Sequence, residues 1–104
     1  MNLDRDSPLA LELQQEMAAA YLAACQKMVD SLEALRSFDA TTTASPVPEQ
    51  VGCRRQLIEH AAERVYFVLI QREALRLAPD PAFLERYEVT DEVRARLGPK
   101  PPAR

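Results

Sequence analysis

His60 is the only histidine of the chain, and Glu63 follows it three positions on. On a helix that spacing puts an imidazole and a carboxylate on one face. Cys53 stands two turns earlier on a neighbouring face, and Glu12 and Glu16 add two carboxylates elsewhere. These are the residue types of a metal site without its pattern. Carboxylate-bridged di-iron bundles place Glu three residues before His, and here Leu57 holds that place. Zinc asks for a fuller Cys/His set. No metal and no cofactor are expected.

Cys53 offers the other chemistry. It falls near a helix start beside Arg54 and Arg55, a setting that favours thiolate. A nucleophile also needs a base in reach, and no spacing in the chain supplies one. One histidine cannot be built into a Ser/His/Asp set. Two glycines, Gly52 and Gly98, cannot make a phosphate loop. The chain is expected to be no enzyme and to carry no catalytic residue. Arg54, Arg55, Arg64, Arg72 and Arg76 suggest an anion strip, but Glu59, Glu63 and Glu73 are interspersed with them. A solvated face with pairs such as Arg55–Glu59 is the expectation.

Two long helical stretches must position these side chains, one from about Pro8 to Phe38 and one from about Pro48 to Ala78. Ser7 can cap the first, and Pro8 loses nothing at a first helical position. Asp4 and Asp6 sit where the helix dipole favours anions. Leu9, Leu13, Met17, Ala20 and Ala24 form one apolar stripe. Tyr21, Cys25, Met28, Leu32 and Leu35 form the next. Alanines from Ala18 to Ala24 keep the middle of the helix thin. Residues 39–47 are poor helix formers ending near two prolines, and so short a connector favours antiparallel neighbours. A hairpin in which paired positions sum to about 86 matches Leu35 with Val51, Met28 with Ile58, Tyr21 with Val65 and Met17 with Leu69. Cys25 and Cys53 are then offset by about eight residues, or roughly 12 Å. That is too far for a disulfide, so reduced thiols are expected.

Val65-Tyr66-Phe67-Val68-Leu69-Ile70 is an unbroken apolar run inside the second stretch. Its flanks are strong helix formers, so it reads as helix rather than strand. A run longer than one turn is apolar on every side, yet one partner helix covers one face. Val65 and Leu69 are expected to face the first helix. Tyr66, Phe67 and Ile70, with Arg72 and Glu73 just beyond, are the candidate interface for the C-terminal segment or a second subunit. Asp80 starts a short helix from Pro81 to Glu88, Thr90 starts another from Asp91 to Leu97, and Gly98 ends it. Residues 1–98 read as one helical domain and 99–104 as a proline-rich disordered tail. That tail fits a Pro-x-x-Pro-x-Arg pattern, from Pro99 to Arg104.

A formal net charge of -3 argues against nucleic acid as partner, because phosphate recognition needs a concentrated basic surface. The apolar runs are far short of a membrane span, and the N-terminus shows no leader pattern. A soluble, cytoplasmic protein is expected. Abundant Arg, Ala and Leu point to a bacterial source. Ala61-Ala62-Glu63 through Val68, Gln71-Arg72-Glu73-Ala74, and Tyr87 through Val93 to Arg96-Leu97-Gly98 resemble a family of small bacterial helical proteins of unknown function. The resemblance covers the C-terminal half. It implies a compact helical protein and brings no activity or site residues.

The expected fold is all-α: a long antiparallel helical hairpin with short C-terminal helices, dimerising into a four-helix bundle. The expected role is a homodimeric, non-enzymatic protein–protein interaction module. The alternatives are a ligand-binding or enzyme module with a site at the dimer seam near His60, Tyr66 and Arg72, or a regulator that sequesters a partner helix.

Overall fold

The computed structural model describes residues 7–42 and 44–99 of the chain. Four helices follow one another: α1 (Pro8–Thr41), α2 (Pro48–Ala74), α3 (Phe83–Arg86) and α4 (Asp91–Arg94). The described residues contain no strand. The expectations for residues 1–6, Asp4 and Asp6 included, lie outside the described residues, as does all of the Pro-x-x-Pro-x-Arg pattern after Pro99.

Local chemistry accounts for the helix starts. Ser7 caps α1, its hydroxyl accepting from the Ala10 amide at 3.0 Å, with Pro8 in the first turn. At the start of α2 the Val47 amide donates to Gln50 Oε1 at 2.9 Å. That is half of a capping box, since valine has no oxygen to return the bond. Thr90 accepts from the Val93 amide and opens α4. Thr42 closes α1 from the other side, donating to the Phe38 carbonyl at 2.6 Å, one of the carbonyls a helix end leaves without a partner.

α2 stops at Ala74, short of the expected Ala78. Arg76 takes a left-handed conformation (φ 57). Its amide donates to the Glu73 carbonyl, and the Leu77 amide reaches back to Arg72. This is a Schellman ending. α3 ends the same way on Glu88 (φ 54), with the Val89 amide on the Leu84 carbonyl. Neither turn has glycine at its left-handed position, so the sequence carried no signal for either.

α1 and α2 pack as an antiparallel hairpin, in a register different from the one expected. Two side-chain pairs fix it: Asp39 with Arg54 and Tyr21 with Arg72. Both pairs sum to 93. Between them this register sets Leu35 level with Ile58, Leu32 with Ala61, Met28 with Val65 and Cys25 with Val68. All are buried except the half-buried Cys25. The expected register differs by seven residues, about two helical turns. Apolar residues on both helices recur in steps of four and three, so a slip of seven lays apolar on apolar again. The polar pairs at the two ends break that degeneracy. In the slipped register Arg54 would stand level with Leu32.

The chain after α2 folds back over the hairpin. Phe83, Val89 and Val93 are buried with the hairpin core, and Tyr87, Leu84 and Leu97 pack against it.

Candidate functional site

The buried seam is closed at each end by an arginine. At the connector end Arg54 reaches two carboxylates at once. Asp39 of α1 accepts at 2.8 and 3.2 Å, and Glu92 of α4 accepts at 2.6 and 2.7 Å. One guanidinium thus ties three helices. These bonds hold Arg54 well above its ordinary pKa, and the Arg54 contacts hold the Glu92 carboxyl below the usual carboxylate range. At the far end Arg72 donates to the Tyr21 hydroxyl at 2.9 Å and to the Ala78 carbonyl at 3.0 Å. Its guanidinium lies 5.2 Å from the centre of the Phe83 ring, within cation–π range. Burial pushes the Tyr21 hydroxyl up in pKa, against the lowering effect of Arg72.

The candidate interface residues part company here. Tyr66 is half-buried, and Phe67 and Ile70 are 48% and 43% exposed. Glu73 is exposed, whereas Arg72 is engaged inside the protomer. Val65 is fully buried and Leu69 packs against the core, but Val68 is fully buried as well. The C-terminal segment leaves Phe67 and Ile70 uncovered.

His60 is exposed, and no group of three or more His, Cys, Asp or Glu that could hold a metal occurs among the described residues. Cys25 and Cys53 are free, Cys53 being exposed. Glu59 stands 3.7 Å from Arg96 rather than pairing with Arg55. A cleft of about 320 Å³ opens at the connector end. Phe38, Val51 and Ile58 line it with Arg54, Arg55 and Arg96. No Cys or His lines it, and Arg54 is held by its carboxylates.

Sequence reasoning missed that the first half of α1 leaves large apolar side chains exposed. With Arg72 level with Tyr21, the end of α2 at Ala74 falls level with Ala19. α1 runs on for about three further turns, some 16 Å, past the end of α2. Leu9, Leu13 and Met17 lie on this overhang and are 55%, 45% and 42% exposed. Leu11 and Leu22 are exposed as well. The sequence hid it: the two stretches were expected to be of equal length, and the expected register matched Met17 with Leu69, whereas α1 has 34 residues and α2 has 27.

No helix among the described residues is long and apolar enough to cross a membrane. No protein-family model matches the chain, nor does any of the curated proteins or solved structures compared with it.

Proposed function

We propose that the protein is a non-enzymatic interaction module that works as a homodimer, with two hairpins sharing one core of four helices. The exposed apolar surface supports this reading: Leu9, Leu13 and Met17 on the α1 overhang, and Phe67 and Ile70 on α2. Isolated exposed hydrophobes are ordinary on a protein surface, but contiguous apolar stripes mark association sites. Closed two-fold dimers are the commonest way for one chain to cover such a surface. The free thiols of Cys25 and Cys53 fit a reducing compartment, the cytoplasm.

Light scattering coupled to size exclusion tests the reading. The expected mass is twice the 11.7 kDa of the chain. A monomer that binds no hydrophobic dye overturns it. A monomer that binds dye favours the second reading, a regulator that captures a partner helix, because the exposed Leu9, Leu13 and Met17 would then be free to take one.

A further inference from the structure

Three elements meet around the cleft at the connector end. The end of α1 brings Phe38, the first turns of α2 bring Val51, Arg54, Arg55 and Ile58, and the chain after α4 brings Arg96. The four α2 residues follow one another in steps of three, one and three, so they form one stripe of the helix. Ile58 is buried, Phe38 is half-buried, and Val51 is 47% exposed. The cleft thus has an apolar floor and guanidinium groups beside it. Its volume of about 320 Å³ lies at the lower end of those that hold small organic ligands.

The charges of the lining are unequally spent. It holds three arginines against one carboxylate, Glu92. Arg54 is committed to Asp39 and Glu92. Arg96 stands 3.7 Å from Glu59, beyond hydrogen-bond reach. Glu59 follows Arg55 by four residues and is the carboxylate that helical spacing assigns to it, yet it is turned to Arg96. Arg55 is left exposed, with no ion-pair or hydrogen-bond partner among the described residues. We infer that the cleft binds a small monocarboxylate with an apolar body. Arg55 receives the carboxylate, the pairing for which a guanidinium fork is shaped, and the body covers Phe38, Val51 and Ile58. The single charge follows from the surroundings. Asp39, Glu59 and Glu92 already answer the other two arginines, so a phosphate dianion meets one unspent cation with a carboxylate in the lining against it. A neutral apolar ligand leaves Arg55 unanswered. The site is complete within one chain and does not depend on the dimer.

Amide spectra of isotope-labelled protein titrated with octanoate test the site. Octanol supplies the body without the acid, and acetate the acid without the body. Octanoate is expected to saturate and to shift the amides of Val51, Arg55 and Ile58, with octanol and acetate binding about tenfold more weakly. Arg55→Gln is expected to weaken octanoate about tenfold, the scale of one hydrogen bond to a charged group, and to leave octanol unchanged. Val51→Glu sets a negative charge in the mouth of the cleft and is expected to abolish octanoate binding. Both side chains are exposed, so amides remote from the cleft are expected to keep their positions in both variants. Equal affinity for octanoate and octanol overturns the assignment, as does an octanoate affinity untouched by Arg55→Gln. A titration without saturable shifts, or with shifts centred on Leu13 or Phe67, overturns it as well.

Discussion

α1 carries one apolar stripe with two fates. In its second half Met28, Leu32 and Leu35 are buried between α2 and the C-terminal segment. In its first half Leu9, Leu13 and Met17 have the same chemistry and comparable spacing and are about half exposed. The difference lies in the neighbour, not in α1. α2 ends at Ala74, where Arg76 turns left-handed, and the arginine pairs set that end level with Ala19. An amphipathic stripe states how much surface wants cover; the length and register of its partner decide how much gets it.

The sharpest test contrasts the two halves directly. Met28→Ala is expected to lower unfolding stability by about 3 kcal/mol in urea titration, the cost of emptying a fully buried site. Leu13→Ser, measured on dilute protein, is expected to stay within about 0.5 kcal/mol while weakening association. Equal losses would erase the distinction. Arg54→Leu with Arg72→Leu removes the polar pairs that oppose a slip. A second population is expected in spin-label distances between α1 and α2, displaced by about seven residues or roughly 10 Å. A single unchanged distance would mean that the C-terminal segment alone sets the register.

Smaller effects follow at the ends of the seam. Arg54→Ala is expected to cost about 1–2 kcal/mol, since two partly exposed carboxylate pairs are lost together. The Glu92 carboxyl is held below its ordinary pKa by Arg54, so its contribution is present above the unfolded value near 4.3 and is lost as pH falls through the lower folded value. Acid titration of stability is expected to show a loss of up to about 1 kcal/mol below pH ~4, absent in Glu92→Gln. Arg76→Gly is expected to add about 1 kcal/mol by relieving the left-handed turn that ends α2. A destabilised variant would show that the Arg76 side chain holds that turn.

Much of this fold was written in local signals. Ser7-Pro8, Pro48 and Thr90 marked starts because capping and proline chemistry act within one turn, whereas α4 ends at Arg94, before the expected stop at Gly98. The hairpin followed from two stripes and a short connector. The register did not, because steps of four and three repeat every seven residues. Arg54 held the missing information: it stands four residues before Ile58, on the buried face of α2, where a charge needs a partner. Its partners lie 15 and 38 residues away, beyond any local pattern. The ends of α2 and α3 were illegible because arginine and glutamate occupy positions that usually announce themselves by glycine.

The overhang has a kinetic consequence. Forming the first turn of a helix is the costly event, and extending an existing helix is cheap. The second half of α1, held in the seam, supplies that nucleus. Residues 8–18 can therefore unwind and rewind as an extension, steadied by the Ser7 cap and the buried Ala10. Their amides are expected to exchange with solvent deuterium far faster than those around Met28 in the separated chain. The same amides become slow wherever a neighbour covers them, so exchange along a single helix reports, turn by turn, where its company begins.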